Sequence, residues 1–155
     1  MIILLSLLSS AFFSGMEIAY VSSNRLNLEI EKKQKGLIPK LLSIITKDPS
    51  RFISTMLIGN SFALVIYGLF MGQFIVENLS FLFLPSMNEL TILLLQTIIS
   101  TSLILIAAEF IPKVLFQIYS NLSMKIFSIP AFIFYVILYP ITSLVTITSN
   151  FILKT

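Results

Sequence analysis

Four long apolar runs dominate the pattern of hydrophobic and polar positions along the chain. Each has roughly the 20 residues that a helix needs to cross a hydrocarbon core of about 30 Å. None alternates polar and apolar residues with the period of two that a strand would show, so we expect helices. The runs cover residues 1–22, 52–76, 90–108 and 126–153.

The first three runs predict an all-α membrane protein with three transmembrane helices. The first run is not typical of a signal peptide, because it lacks a basic N-terminal region and carries Glu17. The whole chain, 1–155, is then a single transmembrane domain. We predict that its spans cover about residues 2–24, 50–76 and 89–112.

The fourth run is ambiguous, because Pro130 and Pro140 interrupt it. After Pro140 the polar residues form one stripe at helical spacing, which a surface helix needs and a lipid-crossing helix does not. We therefore favour an amphipathic juxtamembrane helix within residues 122–154 over a fourth span. The stripe consists of Thr142, Thr146, Ser149 and Asn150, opposite Ile141, Leu144, Val145 and Ile152.

Charge placement indicates an orientation. Seven of the ten Lys and Arg residues lie in 25–51, and short cytoplasmic loops collect such residues. The loop at about 77–89 has Glu77 and Glu89 but no Lys or Arg, so we expect it, and the N-terminus, outside. The net charge of +3 is thus a topology signal, and we expect no nucleic-acid partner.

The basic loop contains helix start and stop signals of its own. In "NRLNLEIEKKQKG", Asn24 is a candidate N-cap and Gly36 a candidate stop. Asp48 is a candidate N-cap for the second span, with Pro49 at the first helical position. We expect loop helices within 25–47, at the cytoplasmic surface.

Composition excludes several kinds of chemistry. The chain has 0 Cys and 0 His, so disulfides, thiolate sites and histidine bases are unavailable. No Ser–Lys or Asp–Asp pair lies within the spans, which disfavours an intramembrane hydrolase, and we expect no enzyme.

Polar residues inside the spans are functional candidates, because each is costly in lipid. We count about 1.5 Å per helical residue from the cytoplasmic end of each span. Ser14 then lies about 16 Å deep, Glu17 about 12 Å, Asn60 about 14 Å and Glu109 about 6 Å. All three spans therefore carry oxygen atoms into the inner half of the bilayer.

These oxygens suit a hard cation. Pro112 has no amide hydrogen to donate to the carbonyl of Ala108, which lies beside Glu109. Carboxylate, amide, hydroxyl and carbonyl oxygens are the ligands that Mg²⁺ and Ca²⁺ prefer. The residues therefore predict a cation site between the spans.

Structural roles explain several of these residues as well. Glu109 could end a kinked helix and reach headgroup water. Asn60 and Ser61 could hydrogen-bond between helices, which is the commoner role of polar residues in spans. Ser14 could serve packing beside Gly15, and these alternatives stay open here. A small-xxx-small pair predicts a packing face rather than a site: Gly68 and Gly72.

Three motifs, one in each span, carry a family resemblance. They are "FFSGMEIAY", "LIGNSFA" and "AEFIPKVL". In this order they resemble the transmembrane domain of the CorC / cyclin M (CNNM) magnesium transporter family, with its patterns S-G-x-E-x-A, L-x-G-N-N and G-E-x-x-P-K. Ser61 replaces the second Asn and Ala108 replaces the Gly.

The resemblance implies a homodimer with three spans per subunit and a dehydrated Mg²⁺ in a pocket open to the cytoplasm. It also implies export coupled to Na⁺ entry. By the resemblance, Ser14, Asn60 and Glu109 lie at the family's ion-binding positions, and we add Glu17, inside the first motif, as a fourth metal-binding residue. The supporting residues are Gly15, Gly59, Ser61, Ala108 and Pro112.

Family members usually continue into cytoplasmic cystathionine-β-synthase-type domains, which are absent from these residues. The helical pattern runs to Thr155 without a stop signal, so we expect a longer protein. We predict a multi-pass Mg²⁺ transporter of the plasma membrane, the inner membrane in a prokaryote. The alternative is a non-transporting anchor, or a metal-sensing dimerisation domain for the cytoplasmic domains.

Overall fold

The computed structural model describes residues 1–78 and 88–153, with side chains described up to residue 146. All regular elements in these ranges are helical. They are α1 (Ile2–Ser22), α2 (Arg25–Lys32), α3 (Leu37–Ile45), α4 (Pro49–Asn78), α5 (Glu89–Leu103), a π-helical segment (Ile104–Phe110), α6 (Ile111–Ile118), α7 (Ser120–Ile126), α8 (Ser128–Ile137) and α9 (Tyr139–Leu153).

Three helical stretches in the described residues are long and apolar enough to cross a membrane. They are Ile2–Ser22, Pro49–Asn78 and Glu89–Ile118, which confirms an all-α membrane domain with three candidate spans. A fourth crossing would need α7 and α8 to act as one span despite a bend of 66° between them.

The helical stretch of the third candidate span continues past Pro112, near which the sequence predicted the end of the span. The π-helical segment precedes the proline, and the amide of Ile111 donates to the carbonyl of Ile106, five residues back. Helix α6 then continues to Ile118. In the first turn of a helix the backbone amides need no intrahelical acceptor, so a proline is tolerated there. Pro112 therefore changes the hydrogen-bond pattern without ending the helix.

Helix α1 lies at the centre of the bundle and packs against α4, the π-helical segment, α6 and α7. Its core residues Phe13, Met16 and Ala19 are buried. The rings of Tyr20 and Phe52 lie 5.0 Å apart, near the end of α1 and the start of α4. The end of α1 and the start of α4 are therefore level, and α2 and α3 connect them.

The predicted caps of the loop are confirmed. The side chain of Asn24 accepts from the amides of Leu26 and Asn27, and Asp48 accepts from the amide of Arg51. The stop signal was placed too late, because α2 already ends at Lys32. Gly36 instead precedes α3 with a φ of 146°, which an L side chain rarely adopts.

Helix α9 packs against α4, but a residue of the predicted polar stripe is buried while apolar residues of the helix are exposed. Thr142 is fully buried, while Ile141, Leu144 and Val145 are exposed. The hydroxyl of Thr142 donates to the backbone carbonyls of Leu138 and Tyr139, so this polar position can face the protein. The prediction of a water-facing stripe is wrong at Thr142, and the side chains of Ser149, Asn150 and Ile152 lie outside the described residues.

Candidate functional site

A polar stripe runs along one face of α1. Ser6, Ser10, Ser14 and Glu17 follow each other at spacings of four, four and three residues, which places them on the same side of a helix. The three serines are buried and Glu17 is half-buried. The burial of the three serines shows that the stripe faces the protein and not lipid.

The stripe meets α4 at Asn60. The hydroxyl of Ser10 donates to Oδ1 of Asn60 over 2.6 Å, and Ser10 is fully buried. The neighbouring Gly59 lies against the ring of Phe13, so close that a Cβ there would approach the ring to 2.5 Å. The glycine thus allows the close approach of α1 and α4 that this hydrogen bond requires.

Ser14 lies one turn further along α1, towards its C-terminal end. Its side chain is 1% exposed, and its Oγ has no hydrogen-bond partner among the described residues. A buried polar group without a partner costs about 1–3 kcal/mol, so it needs an explanation. A hydroxyl with free lone pairs on the predicted ion-binding face can act as a ligand.

The third span contributes an acidic group next to the end of the stripe. Oε2 of Glu109 lies 3.5 Å from Nζ of Lys113, and both side chains are partly exposed. Glu17 on α1 interacts electrostatically with both Lys113 and Glu109. Glu17 and Glu109 therefore act on each other electrostatically across the contact between α1 and the third span, and Lys113 acts on both.

The π-helical segment positions this acidic group. Ala108 and Pro112, four residues apart, are buried, and this segment and α6 pack against α1. Gly15 lies against the ring of Phe116, where a Cβ would approach to 2.7 Å. A π-helical segment widens the turn and often marks a functional site, and here it carries Glu109.

The candidate site residues form two groups along α1. Ser10 and Asn60 form one, Glu17 and Glu109 the other, and Ser14 lies between them on α1. Ser61 is not part of either: it is exposed, and its hydroxyl donates to the carbonyl of Leu57 in its own helix. In residues 1–78 and 88–153, no three His, Cys, Asp or Glu side chains cluster at metal-binding distance. A cation here would depend on two carboxylates with amide and hydroxyl oxygens.

Sequence reasoning missed two residues of this site. Ser10 is a hydroxyl in an apolar run, and only its spacing of four from Ser14 could have identified it. Lys113 was interpreted only as part of a motif and as the expected cytoplasmic end of the third span, yet its side chain contacts the carboxylate of Glu109. The i, i+4 spacing of the two residues was the available signal.

These features define a multi-pass helical membrane domain with an oxygen-lined polar face between its spans. The chain belongs to the family described as the Cyclin M transmembrane N-terminal domain, whose model matches residues 1–155. This confirms the resemblance and makes the chain a membrane domain related to magnesium transport. No curated protein matches the chain.

Proposed function

We propose that this domain binds Mg²⁺ on the polar face of α1 and transports it across the membrane. One observation carries the proposal: the buried hydroxyl of Ser14 has no hydrogen-bond partner in the described part of the chain, and on α1 it lies between Ser10, which binds the amide of Asn60, and the carboxylate of Glu17. Family membership supports magnesium as the substrate.

Each residue has a role that its chemistry allows. Glu17 and Glu109 supply the negative charge that offsets the loss of water, because Mg²⁺ dehydrates reluctantly. Ser14 supplies a hydroxyl oxygen. Oδ1 of Asn60 has two lone pairs, so it can accept from Ser10 and still face an ion. Ser10 then holds the amide in a fixed orientation.

The same proposal includes the route and the assembly. The spans would alternate access around this face, with the π-helical segment and α6 as the moving part. The N-terminus would lie outside, and export would be coupled to Na⁺ entry. The active form would be a homodimer in the plasma membrane, with a juxtamembrane helix and cytoplasmic cystathionine-β-synthase-type domains in the full-length chain.

The test uses purified protein in liposomes loaded with a Mg²⁺-sensitive dye. Glu109→Gln keeps the shape of the side chain but removes its charge, so we expect the loss of Mg²⁺ flux and of Mg²⁺-dependent thermal stabilisation. Glu89→Gln is the matched control, because Glu89 is exposed at the other end of the same span and should leave both properties unchanged.

The results also separate the alternative functions. Normal flux with Glu109→Gln would refute the proposed site. Stabilisation of the wild type by Mg²⁺ without flux would instead indicate a metal-sensing domain. Neither stabilisation nor flux in the wild type would indicate a membrane anchor.

A further inference from the structure

The ion pair between Glu109 and Lys113 has a consequence for the proposed site. Lys113 lies one turn after Glu109, with its Nζ 3.5 Å from Oε2 of that residue. It also interacts with Glu17 across the interface with α1. The ammonium therefore neutralises part of the charge of both carboxylates when no other cation is bound.

We propose that Lys113 is a tethered counter-ion that competes with Mg²⁺ for the carboxylates of Glu17 and Glu109. This inference rests on the proposed function. It assigns to this lysine a role in setting the affinity of the site, beyond marking the end of a span.

The net charge of the site favours competition between Lys113 and Mg²⁺ over the simultaneous presence of both. Glu17 and Glu109 carry two negative charges and Lys113 one positive charge, which leaves one negative charge in the absence of a metal. Adding Mg²⁺ while the ammonium stays would leave one positive charge, whereas its departure leaves the carboxylates and the ion neutral. In a low-dielectric environment the neutral arrangement is the more stable one.

Geometry supports the same conclusion. Mg²⁺ binds oxygen at about 2.0–2.1 Å and demands near-octahedral geometry. An ammonium held against the same carboxylate would repel the ion and occupy the approach to Oε2. Lys113 can leave, because its side chain is 40% exposed and its flexible stem can place the charge at the headgroups.

The competition also suits a transport cycle. Two uncompensated carboxylates on neighbouring spans are costly, so a site that has released its ion needs a substitute charge. Lys113 supplies one from the same helix. It lowers the affinity for Mg²⁺ and thereby favours release.

The first test replaces Lys113 with methionine, which keeps the length but removes the charge. We expect Lys113→Met to lower the Mg²⁺ concentration for half-maximal thermal stabilisation by about three- to tenfold. In liposomes the KM for Mg²⁺ should fall together with the maximal rate, because release becomes slower. Lys113→Arg should resemble the wild type.

Lys125→Met is the matched control. It removes the same charge, but from a lysine on α7 that pairs with Glu31 of the basic loop. Its Mg²⁺ response should equal that of the wild type. Equal shifts in both variants would mean that only net charge matters, and would overturn the proposal.

A second test restores the charge within one protein preparation. The chain has 0 Cys, so Lys113→Cys gives a single thiol. With 2-aminoethyl methanethiosulfonate, the thiolate forms a mixed disulfide that carries the aminoethyl group, and methanesulfinate leaves. This adduct restores a positive charge, whereas methyl methanethiosulfonate adds a neutral group in the same way. We expect the charged adduct to weaken Mg²⁺ binding relative to the neutral adduct.

Two failures are distinguishable. If the wild type shows no response to Mg²⁺, the proposed function itself fails. If the wild type responds but Lys113→Met and the neutral adduct bind Mg²⁺ no more tightly, the role of Lys113 is wrong while the site stands.

Discussion

The contact between α1 and α4 differs sharply from the attachment of the third span. Where α1 meets α4, Phe13 and Ser10 are buried, Gly59 admits an aromatic ring, and a hydrogen bond joins Ser10 to Asn60. In α5, by contrast, no described residue is buried. Ser10 and Asn60 are held by tight packing between α1 and α4, whereas the span that carries Glu109 packs against α1 mainly through the π-helical segment and α6.

This difference indicates which part of the domain can move. A closely packed interface resists small displacements, because every shift costs contacts. The third span contacts α1 mainly through the π-helical segment and α6, and its α5 also meets α4. Movement of the third span would bring Glu109 towards or away from Ser14 and Asn60, while these two stay fixed relative to each other.

The largest expected effect tests the tight interface at Gly59. A Cβ in Gly59→Ala would lie 2.5–2.7 Å from the ring of Phe13, which packs in turn on Phe12 and Phe134. The ring cannot shift without its neighbours, so we expect a loss of about 1–3 kcal/mol in the free energy of unfolding. Thermal unfolding in detergent measures it.

Gly68→Ala is the control in the same helix. A Cβ at Gly68 has no other atom within 4 Å in the described structure, and alanine favours a helix by up to about 1 kcal/mol over glycine. We expect equal or higher stability. A loss at Gly68 equal to that at Gly59 would contradict this packing comparison and would point to a second molecule against Gly68.

The second-largest expected effect tests the hydrogen bond between the closely packed helices α1 and α4. Ser10→Ala removes the donor to Asn60, and we expect a loss of about 1 kcal/mol in stability. Mg²⁺ binding should weaken as well, because the amide of Asn60 is no longer held in place. Ser9→Ala is the control, since the hydroxyl of Ser9 donates to the carbonyl of Leu5 in its own helix. Unchanged Mg²⁺ binding in Ser10→Ala would remove Ser10 from the site.

Local signals in the sequence were sufficient for much of the fold. The three spans follow from length and hydropathy, and the caps at Asn24 and Asp48 depend on residues within one turn. The π-helical segment could not be predicted in this way, because its hydrogen-bond register depends on how Ala108 and Pro112 pack against α1.

The site was predictable only in part for a related reason. A sequence motif does not show which of two adjacent residues faces the site, although adjacent side chains on a helix point about 100° apart. Asn60 faces Ser10, and so Ser61 turns outwards. The spacing of Ser10 and Ser14 was visible in the sequence. That Ser14 lacks a hydrogen-bond partner among the described residues can be known only from the three-dimensional structure.

The smallest effect tests the loose attachment of the third span. In Gly72→Ala a Cβ would lie 2.5 Å from Nε2 of Gln96 on α5, but the next nearest atom of that side chain would be 3.8 Å away. The amide lies at the end of a flexible side chain and can move, and the gain in helix propensity of about 1 kcal/mol offsets part of the cost. We expect a change in unfolding free energy below about 1 kcal/mol, measured as for Gly59→Ala. A loss as large as that at Gly59 would show that α5 is held as tightly as α1, and the third span could then not be the moving part.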